Sequence, residues 1–427
     1  MLISSLKSLV ATLAGVLMLA LAGCSTPCDA PGRLCAPIES NTSAPPSPYR
    51  RAELPAPIPM SAPRASAPFE TRPVEFPGDA TAVGGRETRI GLMLPLRSQT
   101  LGAPAEALRA GFMAAYEHER EGFIVNLVDT GDSLQENLNA YAAAVEQNDI
   151  MVGPLARPAV SALAASALVR KPTIALNHPV ALPSAAALPA QMLVIGLSIE
   201  DEARQVATWA GTEHPGGTAL IIAGSSAWQR RIAASFAARW KQLGYSSQML
   251  VVADSNGYLS EASLGQLSAQ LDAAQPALLF TALDASQAGQ VRGALGPELP
   301  IYGTSSVNPG TFAGAGADPG AVLTELNGLR LLDLPWEVDS AHPAVMAYPR
   351  WSGATARTLD MDRLYALGID AFRVAREIAL RPGADINLDG VTGRLSVRFG
   401  NGPARFERIE PAAVYEGGAF TLVPERR

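Results

Sequence analysis

Arg89-Ile-Gly-Leu-Met-Leu-Pro-Leu96 is a short apolar run broken by a proline, the pattern of a buried strand entering a loop. A helical pattern follows, then Phe123-Ile-Val-Asn-Leu-Val128, a second helical pattern, and Ile150-Met-Val-Gly-Pro-Leu155. A third, alanine-rich helix leads to Lys171-Pro-Thr-Ile-Ala-Leu-Asn177. Four short apolar strands alternating with three helices predict a parallel sheet covered on both faces. Leu108, Phe112, Ala115 and Tyr116 mark the packed face of the first helix. Ser133-Leu-Gln-Glu136 has the form of a capping box, and Leu134, Leu138, Tyr141, Ala142 and Val145 follow it on one face.

A second series begins after Ile195-Gly-Leu-Ser198. It holds a helix with Ile199, Val206 and Trp209, the strand Thr218–Ala223, and a helix through Trp228, Ile232, Phe236 and Trp240. Strands are then expected at Gln248–Val252, Ala277–Thr281, Leu299–Tyr302 and Leu326–Leu334, and a helix over Arg363–Leu380. The tail reads as a β-hairpin, Val391–Phe399 against Ala404–Tyr415, with an Asn-Gly turn inside Gly400-Asn-Gly402. The fold class is therefore α/β in two lobes, each a mostly parallel sheet flanked by helices. The expected division puts residues 88–197 and 308–388 in the first lobe and 198–307 and 389–427 in the second.

Upstream of residue 88 the chain changes character. Lys7 precedes an apolar run from Leu9 to Ala22, too short to span a bilayer and suited to a signal-peptide core (residues 1–23). It ends in Leu21-Ala22-Gly23-Cys24, which resembles the lipobox of bacterial lipoproteins, with Cys24 as the lipidated residue. In the Gram-negative sorting pattern that this resembles, the non-aspartate Ser25 favours the outer membrane. Cys28 and Cys35 flank a turn-rich loop and are expected to form a disulfide in an oxidising compartment, two free thiols being the alternative. Thirteen of the chain's 34 prolines lie between Ser25 and Glu87. With few large apolar residues that segment cannot build a core, and residues 24–87 read as a disordered tether. Its reach is at most about 190 Å as polyproline and roughly 45 Å as a coil.

Charge and chemistry narrow the function further. The net charge of −7 gives no footing for nucleic acid or an anionic membrane face. No cysteine lies beyond Cys35, which excludes thiol catalysis and cysteine metal sites in the folded part. His118, His178, His214 and His342 are scattered, with no metal-ligand spacing, and no nucleophile elbow or phosphate loop is present. Asp385-Ile-Asn-Leu-Asp389-Gly390 imitates the first half of a calcium loop, but the twelfth position is Ser396, so it reads as a polar turn. No cofactor and no metal are expected, and an enzyme is the weakest class.

Two parallel-sheet lobes with a late helix and a terminal hairpin resemble the type I periplasmic binding protein fold. Six motifs in order are similar to the C-terminal domain of LpoA-type penicillin-binding protein activators. They are Ile90–Leu96, Val152-Gly-Pro-Leu155, Ile174-Ala-Leu-Asn177, Asp333-Leu-Pro-Trp336, Arg363-Leu-Tyr-Ala-Leu-Gly-Ile-Asp370 and Gly390-Val-Thr-Gly-Arg-Leu395. The resemblance implies an outer-membrane lipoprotein that faces the periplasm and stimulates a class A penicillin-binding protein, a peptidoglycan synthase. Well-known members carry a helical-repeat domain before this one, where here the proline-rich segment stands. The alternative is a tethered solute-binding protein for a small polar or anionic ligand. Amino-acid-binding relatives of the fold offer hydroxyls after the Gly-Pro pair, whereas Gly153-Pro154 here is followed by Leu155-Ala-Arg-Pro158. Arg157 is an anion donor or a solvated loop residue. Asn177 and His178 end the fourth strand, and Arg97, Ser98, Asp129 and Ser225 also end strands, where ligands sit in open parallel sheets.

Overall fold

The computed structural model describes residues 87–180, 188–255, 257–310, 324–353 and 358–424. The leader, Cys24, Cys28, Cys35 and the proline-rich segment lie outside the described residues.

The first sheet is built from β1 (Thr88–Leu94), β2 (Phe123–Asp129), β3 (Ile150–Val152), β4 (Thr173–Ala175) and β5 (Met192–Val194), all parallel in the order β2-β1-β3-β4-β5. β1 lies inside the sheet and is buried from Ile90 to Leu94, so it reads as a continuous apolar run. Helices α1 (Gly102–His118), α2 (Leu134–Gln147) and α3 (Arg157–Ala164) make the connections. The four expected strands are present; β5, three residues long, carries no periodicity by which to mark it. Only half of the expected capping box forms at α2. Ser133 Oγ accepts from the Glu136 amide at 3.4 Å, but the Glu136 carboxylate turns away and accepts from the Gly131 amide and from Arg97.

After Ser198, whose Oγ accepts from the Asp201 amide at 3.1 Å, α4 (Ile199–Glu213) opens the second lobe. β6 (Ala219–Ala223), α5 (Ala227–Gln242), β7 (Ser247–Val251), the small pair β8 (Asp254–Ser255) and β9 (Tyr258–Leu259), and α6 (Glu261–Ala274) follow. Then come β10 (Leu278–Ala282), α7 (Ala285–Leu295), β11 (Ile301–Gly303) and β12 (Leu329–Leu332). The chain next forms α8 (Pro335–Val338), α9 (Pro343–Met346), α10 (Leu359–Leu380) and an antiparallel sheet of β13 (Asp385–Asp389), β14 (Arg394–Arg398) and β15 (Arg405–Ile409). It ends with β16 (Ala412–Glu416) and β17 (Ala419–Leu422), which complete a mixed sheet in the order β17-β16-β12-β11-β10-β6-β7.

Five expectations are corrected by this topology. Residues 308–388 do not all belong to the first lobe, because β12 pairs with β11 and β16 in the second sheet. Residues 389–427 do not all belong to the second, because Val391, Leu395, Val397 and Phe399 join the core beneath the first sheet. The chain therefore crosses between lobes near residues 195–198, 333–334 and 410–411. Ala404–Tyr415 is not one strand: Glu410-Pro411 divides it into β15 and β16, which pair in different sheets. Asp385–Asp389 is strand β13 and not a polar turn. The turn it faces is longer than an Asn-Gly pair, since Arg398 opposes Arg405 and Asn401 Nδ2 donates to the Gly383 carbonyl at 2.7 Å.

Helix α10 seats the second half of the first lobe against α1. A methyl group at Gly368 would strike the Leu108 carbonyl oxygen, and one at Gly111 the Tyr365 carbonyl oxygen. The two backbones approach that closely only because both positions are glycine. Phe112 then meets Phe372 edge-on at 5.4 Å, with Tyr116 beside it at 5.7 Å. No helix among the described residues is long and apolar enough to cross a membrane.

Candidate functional site

The residues expected at a strand-end cleft are mostly engaged with one another or with backbone. Arg97 Nε donates to Asp129 Oδ2 at 3.1 Å, and its Nη2 donates to the Asp129 carbonyl and to Glu136. Ser98 is buried and its Oγ accepts from the amides of Thr100 and Leu101, which holds the turn into α1. Arg157 Nε donates to the His178 carbonyl at 3.2 Å, and its Nη2 reaches the Pro179 carbonyl. Asn177 Oδ1 accepts from the His178 amide, and His178 Nε2 lies 3.3 Å from the Gly196 carbonyl. Ser225 is exposed, with its Oγ 3.5 Å from Asp254 Oδ1. Arg97 and Asp129 form one exposed cluster, Arg157, Asn177 and His178 another, and no ligand-shaped arrangement unites them.

The dense chemistry lies at the crossings instead, on residues that were not singled out as site candidates. Asp333, fully buried after β12, takes two donors from Arg363 near the start of α10: Nη2 to Oδ2 at 2.6 Å and Nε to Oδ1 at 3.3 Å. Asn308 Nδ2 adds a 2.7 Å bond to Oδ2, and the Leu334 amide one of 2.8 Å to Oδ1. The same Arg363 donates to the Ser305 carbonyl, and the Ser305 amide donates to Glu202 Oε2, both at 2.9 Å. Arg408 donates to the carbonyls of Ile195 and Gly196 and to Thr392 Oγ1. Asp370 accepts from the amides of Val391 and Thr392 and from the Thr392 hydroxyl. The sequence signal for this set was charge on an otherwise apolar helix face. Arg363 and Asp370 are two turns apart among Leu367, Ile369 and Phe372.

Carboxylates outnumber their partners here, and protons make up the difference. Burial, then the charge of Asp333, pushes Glu202 up to about 7. The same two causes push Glu337 up to about 8, and its Oε1 accepts no hydrogen bond among the described residues. Burial and Glu202 together raise Glu410 well above the usual carboxylate range. Arg363 is disfavoured by burial, but Asp333 outweighs this and holds it charged.

Two hollows adjoin these groups. One of about 210 Å³ is bounded by Ser305, Asn308, Thr358, Asp360 and Arg363. The other, about 1070 Å³, runs beside the crossings between α4 and β15; of the seven expected cleft residues only His178 lines it. Among the described residues no group of three His, Cys, Asp or Glu is arranged to hold a metal.

The two sheets and their three crossings define the class: a two-lobed protein of the type I periplasmic-binding-protein kind. Residues 83–402 match the family described as "LppC putative lipoprotein", and the chain belongs to that family. It is 28% identical over 353 residues to "Penicillin-binding protein activator LpoA" of Glaesserella parasuis serovar 5 (strain SH0165), covering 78% of this chain and 54% of that protein. The chain thus spans about half the length of that relative. The solved LpoA (YraM) C-domain from Haemophilus influenzae, described as a regulator of PBP1A, superposes with a TM-score of 0.61 at 24% identity, over 79% of this chain and 100% of that one. A putative branched-chain amino acid ABC transporter structure from Chromobacterium violaceum ATCC 12472 gives 0.61 at 34% identity, over 77% and 99%.

Replacing Arg363 by Met leaves Asp333 buried without its countercharge, and urea unfolding should show a loss of about 3–5 kcal/mol. Adding Asp333→Asn to that variant should recover part of the loss, because the uncompensated charge is gone.

Glu202 and Glu337 bind protons more tightly folded than unfolded. Their contribution to stability is complete below the unfolded carboxylate range and is lost as pH rises through about 7 and about 8. The melting temperature should therefore fall by several degrees between about pH 5.5 and about pH 8.5. Glu337→Gln should flatten the upper part of that decline in a calorimetric pH series.

Proposed function

We propose that this chain is an outer-membrane lipoprotein, anchored through Cys24 and facing the periplasm, that binds and activates a class A penicillin-binding protein without catalysing a reaction itself. The observation that supports this most is the likeness to LpoA along 78% of the chain. The site chemistry agrees with it. The loop after Gly153-Pro154 has no hydroxyl to offer a carboxylate, and its Arg157 guanidinium is committed to backbone carbonyls. The buried charges at the crossings hold the two lobes together. Residues 24–87 act as the tether and the Cys28–Cys35 disulfide closes a small ring within it.

A second reading, a tethered receptor for a small polar or anionic solute, is favoured by the 34% identity to the Chromobacterium violaceum structure. The two readings separate by experiment. With the cognate class A synthase, the purified domain should raise glycan polymerisation or crosslinking and should not cleave peptidoglycan. It should show no thermal shift with the common amino acids. A receptor held at a hundred times its ligand's dissociation constant would gain roughly 2.7 kcal/mol, a shift of a few degrees. An amino-acid shift together with an unaffected synthase would replace the activator reading with the receptor.

Anchoring is checked separately. Cys24→Ala should abolish lipid labelling and move the protein from outer-membrane to soluble fractions. Retention of that variant in the membrane would remove the lipoprotein reading.

A further inference from the structure

We propose that the large cavity beside the crossings is a binding site for a small organic cation, an amine or guanidinium on an apolar body, with Glu410 as its counter-ion. This inference is independent of the synthase reading.

Glu410 lines the cavity between β15 and β16, at the point where the chain leaves the first lobe. Its side chain is buried, at 6% exposure, yet neither carboxyl oxygen accepts a hydrogen bond among the described residues. Oε2 is sealed from solvent and has no donor among the described residues. A buried acid with no donor is costly unless something else supplies one. The backbone around it is fixed: the Glu410 amide donates to Gln205 Oε1 of α4 at 3.1 Å.

Several neighbouring charges along the cavity already have partners. Arg204 is paired with Asp201, Arg239 Nε donates to Thr208, and Glu213 takes Arg330, Tyr302 and Trp209. Arg408, the guanidinium nearest in sequence, is spent on Ile195, Gly196 and Thr392. Glu410 is the buried acid left over, and the ligand charge that complements it is positive. Trp209, Phe406 and Ile409 supply the apolar wall, and the volume of about 1070 Å³ suits a small molecule. Of the groups acting on Glu410, Glu202 and Asp333 raise its proton affinity while Arg408 and Arg363 oppose them. Burial and these two carboxylates favour the protonated acid, whereas a bound cation favours the ionised form, so binding is accompanied by proton release.

Calorimetric titration of phenethylamine and cadaverine into the whole chain, in two buffers of different ionisation enthalpy, tests this directly. Both amines should bind, the heats should differ between buffers by the release of a proton, and uncharged N-acetylphenethylamine should not bind. Glu410→Gln keeps the shape and should weaken amine binding by about tenfold or more, with the melting temperature retained. If that variant does not fold, proton release and discrimination against the acetylated probe by the unaltered protein decide the question. Absence of amine binding, equal binding of the neutral probe, or amine affinity unchanged in Glu410→Gln would overturn the proposal.

Discussion

The pair between Asp333 and Arg363 is the contact on which the arrangement of the lobes depends. Asp333 ends a strand of the second sheet, and Arg363 begins the long helix of the first lobe. Two charges withdrawn from water are retained only when each finds complete partners. Asp333 has Arg363, Asn308 and a backbone amide, and Arg363 adds the Ser305 carbonyl. Neither residue can move without stranding the other, so the second crossing and the strand ends of the second lobe move with α10 or not at all.

The remaining crossings are fixed by the same logic. Arg408 gathers the carbonyls of the first crossing, and Gln205 holds the amide of the third. Asp370 clamps the Val391-Thr392 turn, whose Val391 carbonyl accepts the Trp336 amide from beyond the second crossing. Three of the six motifs that carry the family resemblance thus meet in space although they are separated in sequence. Asp333-Leu-Pro-Trp336, Arg363–Asp370 and Gly390–Leu395 form one hydrogen-bonded unit. Their shared job is to join lobes, which explains why so many charged residues lie where water does not.

This economy shapes what the protein can do. The strand ends that would receive a solute in an open parallel sheet are tied up locally by Arg97, Asp129 and Arg157. One of the buried polar groups without a donor among the described residues is Glu410, on the flank of the crossings.

The sequence by itself determined the elements. A central strand must be apolar throughout because both its faces are covered, and Ile90–Leu94 says so; a helix must repeat its apolar face every three or four residues, as Leu108, Phe112 and Ala115 do. Those signals are local, and they placed β1 to β4, the main helices and the two-lobed class correctly. Which sheet each late strand joins was decided only in three dimensions. Leu329–Leu332 and Ala412–Glu416 pair with each other across about eighty residues, a choice made by lobe packing and by Pro411 ending the ladder of β15. The buried charges were legible as letters but not as a site. A carboxylate far from its guanidinium in sequence becomes meaningful only when the fold excludes water from both, and that exclusion is a property of the packed structure.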